Sequence, residues 1–78
     1  MADFDSVTID ILKKIAEENK GTSESLSSIF NMPEQEIQFH LDTLRARKFL
    51  SRPFLSSQGT EYRISSKGRE FLIEKGLI

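Results

Sequence analysis

The chain contains no cysteine, so neither a disulfide nor a thiolate metal site is open to it. It has a single histidine, His40, and a zinc site would have to draw nearly all its ligands from carboxylates. No apolar run approaches the roughly 20 residues of a membrane-spanning helix. The opening MADFDSVTI lacks the basic-then-apolar order of a secretion signal. There is no glycine-rich phosphate loop and no recognisable Ser-His-Asp order. With 78 residues, a single domain spanning 1–78 is expected. A domain of this size buries only about 60–65% of the surface its unfolded chain exposes, which means one modest core and no deep cleft. These absences argue against an enzyme, a cofactor and a membrane association. They lead to the expectation of a soluble, cytoplasmic binding protein.

A strong excess of either charge is also missing, since the net charge is −1. The total hides a segregation. Residues 1–44 carry Lys13, Lys14 and Lys20 against nine acids, a balance of −6. Residues 45–69 carry Arg45, Arg47, Lys48, Arg52, Arg63, Lys67 and Arg69 against Glu61 alone, a balance of +6. Such a division builds a basic face inside a nearly neutral protein. The plainer alternative is scattered solvated charge paired with Glu61, Asp42 or Glu70, in surface pairs that contribute only about 0–1 kcal/mol.

Hydrophobic periodicity places the elements. Phe4, Val7, Ile11, Leu12 and Ile15 form one apolar stripe at helical spacing over 4–16. Asp3 or Asp5 is placed to cap it and Gly21 to stop it. Ile9 and Ala16 widen the stripe toward the last helix or a second subunit. A short helix fits 23–30, with Thr22 or Ser23 as cap and Leu26, Ile29 and Phe30 on one face. Asn31 suits the left-handed turn that follows, Met32 fills it, and Pro33 opens the next helix. That third helix, 33–48, directs Ile37, Leu41 and Leu44 inward. Phe39 lies about 160–220° from each of them, so it faces outward with Gln35, Asp42 and Ala46, bordered by Gln38 and Arg45. The period then falls to about 2. FLSRPFLSS and TEYRIS read as two strands joined at Gln58-Gly59. The register is open: one loop length opposes Leu55 to Tyr62, the other Phe54 to Tyr62. Pro53 favours an edge strand. Ser65 or Ser66 caps a last helix, with Phe71, Leu72 and Ile73 directed inward and Gly76 at its end. The expected core comprises Ile11, Ile15, Leu26, Ile29, Ile37, Leu41, Leu44, Leu50, Tyr62, Ile64 and Leu72.

This order resembles the winged helix-turn-helix domain, an α+β fold of three helices, a two-stranded hairpin wing and a short C-terminal helix. SLSSIFNMPEQEIQFHLDTLRARKFL is similar to the helix-turn-helix and following strand of small prokaryotic regulators. The matching places are Leu26, Ile29, Asn31, Ile37, His40-Leu41, Leu44 and Phe49-Leu50. EYRISSKGREFL resembles the strand-into-helix segment of MarR, ArsR and PadR type regulators at Tyr62, Ile64, Ser65, Lys67, Gly68 and Leu72. GTSESL fits a short first strand feeding helix two. The chain departs from these families in three ways. Lys48 stands where Gly often precedes the apolar pair. The outward face of the third helix carries Glu34, Gln35, Gln38, Phe39 and Asp42. The wing tip, SSQGT, is neutral.

The resemblance implies a transcriptional regulator that binds double-stranded DNA, weakly as a monomer. Its third helix (33–48) would lie in the major groove and its wing (49–65) on the backbone. Gln35 and Gln38 would read adenine, Phe39 a thymine methyl and Asp42 a cytosine amino group. Arg45, Arg52, Arg63 and Lys67 would contact phosphates. His40 is structural in this reading. The alternative is a protein–protein module using the outward face around Phe39, because an exposed aromatic also marks protein interfaces. The first and last helices would supply any homodimer contact. Neither reading needs a metal or cofactor.

Overall fold

The structure is a computed structural model that describes residues 6–57 and 59–78. Its elements are α1 (Ser6–Glu18), α2 (Ser23–Phe30), α3 (Glu34–Ala46), β1 (Phe54–Ser56), β2 (Gly59–Glu61) and α4 (Ser66–Glu74). The places assigned to Asp3, Phe4, Asp5 and Gln58 lie outside the described residues.

Helix α1 buries Thr8, Ile11, Leu12, Ile15 and Ala16, the stripe its spacing requires. Ala16 is taken up by the core, and Ile9 is half-buried. Asn19 ends α1 with a left-handed backbone, φ 66°, so Gly21 does not stop the helix as expected. Gly21 instead lies against Ile15 and Leu26, where an added Cβ would come within 3.2 and 3.3 Å of their side chains. Its backbone pairs with Tyr62 in both directions, at 2.9 and 2.8 Å. This bridge is the short first strand.

Helix α2 begins at a capping box in which Thr22 Oγ1 accepts from the Ser25 amide and Ser25 Oγ accepts from the Thr22 amide. It ends at Asn31, φ 54°, and the Ser27 hydroxyl donates to the Met32 carbonyl, closing the turn. Helix α3 follows from Pro33, whose carbonyl accepts from the amides of Glu36 and Ile37. It buries Ile37, His40, Leu41 and Leu44. The Thr8 hydroxyl and His40 Nδ1 lie 2.7 Å apart, so the histidine joins α1 to α3 and is not presented to a partner. Helix α3 stops at Ala46, two residues short of the expected 48, because Lys48 turns left-handed at φ 64°. The Lys48 amide then donates to the Arg45 carbonyl and the Phe49 amide to the Leu44 carbonyl, which is the Schellman arrangement.

The hairpin pairs Phe54 with Glu61, Leu55 with Thr60 and Ser56 with Gly59. Neither expected register holds, and Gly59 belongs to β2 and not to the turn. Beyond β1, Leu50 pairs with Ile64. Three residues (51–53) therefore stand against two (62 and 63). The additional residue makes a bulge beside Pro53, whose missing N–H suits a break in the ladder. Tyr62 is left to pair with Gly21. The sheet order is β1-β2, and β1 is the edge that Pro53 indicated.

Ser65 caps α4, its Oγ accepting from the Gly68 amide. Gly76, φ 69°, closes α4 as expected, with the Leu77 amide donating to the Leu72 carbonyl. The buried apolar cluster comprises Ile11, Leu12, Ile15, Ala16, Leu26, Ile37, Leu41, Leu44, Phe49, Leu50, Tyr62 and Leu72. Three expectations need correction. Ile29 is 50% exposed, and on its face of α2 Leu26 alone is fully buried. Ile64 is only partly buried against the core. Ile73 is exposed, since the next residue along from the buried Leu72 is rotated by about 100°. Three helices, an antiparallel hairpin and a short last helix make a winged-helix-like α+β fold.

Candidate nucleic-acid interface

Helix α3 buries one stripe and presents a second to solvent. Because Ile37, Leu41 and Leu44 are fully buried, helical geometry turns Gln35, Phe39, Asp42 and Ala46 outward, and all four are exposed. Phe39 is 68% exposed, an uncommon position for a large apolar ring. Its ring and that of the buried His40 form a T-shaped contact with centroids 5.8 Å apart. Thr43 Oγ1 donates to the Phe39 carbonyl at 3.0 Å. Glu34 and Glu36 occupy the first turn and Arg45 the last, each on the end of the helix that its charge favours.

Gln38 differs from its neighbours. It is half-buried, and its Nε2 donates both to Tyr62 Oη at 2.9 Å and to Asp42 Oδ1 at 3.0 Å. The carboxamide therefore ties α3 to the strand residue beside β2. Reading a base with this group would mean exchanging those two hydrogen bonds. The outward row with unengaged amide chemistry thus begins at Gln35.

The phosphate-facing candidates lie on three pieces of chain that the backbone brings together. Arg45 closes α3. Arg52 leads into β1 and Arg63 follows β2, and they sit beside one another because the Ser51 amide donates to the Arg63 carbonyl at 2.8 Å. Lys67 is in the first turn of α4. That turn is held against the end of α3 by Ser65, whose Oγ donates to the Lys48 carbonyl at 2.7 Å and whose amide donates to the Phe49 carbonyl at 3.0 Å. All seven cations between 45 and 69 are exposed. The Arg63 guanidinium lies 4.8 Å above the Phe54 ring and 4.0 Å from the Glu61 carboxylate, so it is partly occupied within the hairpin.

The hairpin also carries apolar surface, in which sequence reasoning singled out Phe54 but not Leu55. Leu55 is 81% exposed and Phe54 42%. Phe54 and Leu55 are adjacent in β1 and so point to opposite faces of the hairpin. Both are open because neither side of the hairpin is covered at β1. Among the described residues there is no group of His, Cys, Asp and Glu that could hold a metal ion, and no helix is long and apolar enough to cross a membrane. No family model, curated protein or solved structure matches the chain.

Proposed function

We propose that the protein binds double-stranded DNA as a small winged-helix regulator of the kind typified by MarR, ArsR and PadR proteins. Helix α3 enters the major groove and the hairpin lies along the backbone. The supporting observation is that every cation between 45 and 69 is exposed, on pieces of chain joined to one another around the end of α3. Arg45, Arg52, Arg63 and Lys67 supply phosphate contacts, which position the protein without reading sequence. Gln35 and Phe39 reach base edges, Gln35 by paired hydrogen bonds to adenine and Phe39 by contact with a thymine methyl. Glu34, Glu36 and Asp42 oppose the phosphate field, so a monomer binds weakly. The test is a titration of the labelled protein with random duplex DNA at low salt, followed by amide NMR. Shifts confined to the exposed face of α3, the hairpin and the start of α4 are expected. No shift at millimolar duplex overturns the reading.

A second reading rests on Phe39, Phe54 and Leu55, large apolar side chains exposed on α3 and β1. Exposed apolar and aromatic side chains of that size mark protein interfaces. Under it, the same titration is silent and the Phe39 face captures a protein partner that carries Lys or Arg opposite Glu34, Glu36 and Asp42.

A further inference from the structure

Glu61 is the only Asp, Glu, Lys or Arg that the fold buries among the described residues. Its ion-pair partner among them is Arg63, at 4.0 Å, the outer limit of such a contact, and Arg63 is itself largely in solvent. A carboxylate taken from water without a close counter-charge is costly. Glu61 also does not face solid core. With Lys14, Lys20, Thr22, Leu26 and Ile29 it lines a cavity of about 290 Å³ between the end of α1, helix α2 and β2. Lys14 is engaged with Glu18 at 3.4 Å and Glu17 at 3.8 Å, and Glu18 and Lys20, which share the lining, are exposed, so Glu61 is its one buried charge. Leu26 and the half-exposed Ile29 form an apolar wall, which also accounts for an isoleucine turned out of the core.

The charge and the wall select the ligand. A hard metal ion needs six or more oxygen ligands, and one carboxylate beside aliphatic side chains does not provide them. An ammonium group needs a single carboxylate and a further acceptor. Ser25 Oγ is fully used by the capping box, but Thr22 Oγ1 accepts there only from the Ser25 amide and keeps a second lone pair in the same lining. The volume lies at the small end of the range for ligand pockets. We propose that this cavity binds the ammonium group of a small aliphatic amine, with its charge against Glu61 and a short branched body on Leu26 and Ile29. Two kinds of molecule share this chemistry: a plain amine, and an α-amino acid whose carboxylate would reach Lys20 at the rim.

The test is amide NMR of the full chain without nucleic acid, so its outcome is independent of the DNA reading. Isoamylamine, L-leucine and isocaproate are titrated separately. Isoamylamine should give saturable shifts at Gly21, Thr22, Leu26 and Glu61. Glu61→Gln should weaken that binding about tenfold or more, the effect of losing a charge-assisted hydrogen bond. Ile29→Ala should weaken it about threefold through lost apolar contact, and it provides a measurement that does not depend on Glu61→Gln folding. Leucine binding tighter than isoamylamine identifies an amino acid as the ligand; weaker binding identifies a plain amine. The proposal is overturned by an absence of saturable shifts with isoamylamine, by unchanged affinity in both variants, or by isocaproate binding at these residues as well as the amine.

Discussion

Lys48 shows how one side chain can sit in a place shaped for another. Its φ of 64° is the conformation in which glycine pays no Cβ penalty and an L side chain pays roughly 1–2 kcal/mol. The chain keeps a cation there, beside Arg45 and Arg47, at the cost of local strain. Lys48→Gly is expected to raise stability by about 0.5–1 kcal/mol after the added flexibility of the unfolded chain is counted. It should also weaken DNA binding, as read by denaturant titration and by duplex affinity. A loss of stability would contradict the strain. Gly68 is the opposite case. A glycine within a helix normally costs about 1 kcal/mol against alanine. Here a Cβ would sit 2.2 Å from the Phe49 carbonyl oxygen and 2.9 Å from Ile64 Cγ1. The clash exceeds the propensity gain, so Gly68→Ala should lose about 3 kcal/mol. Phe39→Ala should change stability by no more than about 0.5 kcal/mol, as exposed substitutions do. Its loss of binding should be small on DNA, and confined to sites with thymine at one position, but about 2 kcal/mol or more on a protein partner.

At the scale of elements, α3 and the hairpin depend on different forces. Helix α3 is fixed by burial. Ile37, Leu41 and Leu44 are wholly covered, and Leu41→Ala should cost about 2–5 kcal/mol, much of the stability of so small a domain. An unchanged melting transition would mean that Leu41 is not at the centre of the core. The hairpin is fixed by its ladder, by the bulge beside Pro53 and by the contact of Arg63 with Phe54. Its burial is slight, so its register could not be read from hydrophobic alternation. A pleat defines register strongly only where one face is covered, and here Phe54 and Leu55 both lie open. Tyr62 supplies the link between the two elements. Its backbone bridges to Gly21 and its hydroxyl accepts from Gln38. Tyr62→Phe should therefore free Gln38 with a stability loss of about 1 kcal/mol, visible as a shift of the Gln38 side-chain amide.

Over the whole molecule, the division of charge decides how tightly a polyanion is held. Contact with three or four phosphates gives a salt slope of roughly −3 to −4. Arg52→Ala and Arg63→Ala should each flatten it by about one. The effect of Arg63 should be the smaller of the two, because its guanidinium is shared with Glu61 and Phe54. Glu34→Gln with Asp42→Asn removes two repulsive charges from the reading face and should tighten duplex binding. The same pair should weaken a protein partner that supplies cations to that face. Measuring both affinities across a salt series separates the two readings of α3.

The helices were legible from sequence because each is a local device. An apolar stripe, a capping hydroxyl and a residue tolerant of the left-handed turn lie within a few positions of one another. The starts and ends of α2 and α4 and the outward face of α3 follow from that alone, as does Phe39 in solvent. What tertiary structure decided was whatever depends on which surfaces meet. Ile29 and Leu26 both belong to the apolar face of α2, yet only Leu26 meets the centre, while Ile29 borders the open cavity between the end of α1, α2 and β2. Gln38 appears as one more polar residue on the border of α3 until the strand brings Tyr62 to it. Glu61 stands in TEYRIS as an ordinary strand acid. It becomes a buried charge only because the true register turns it toward the end of α1 and away from solvent. Local sequence sets the period of an element and hence its faces. The distance and phase at which two elements pack come from the joint fit of many side chains, and no single stretch of the chain carries that.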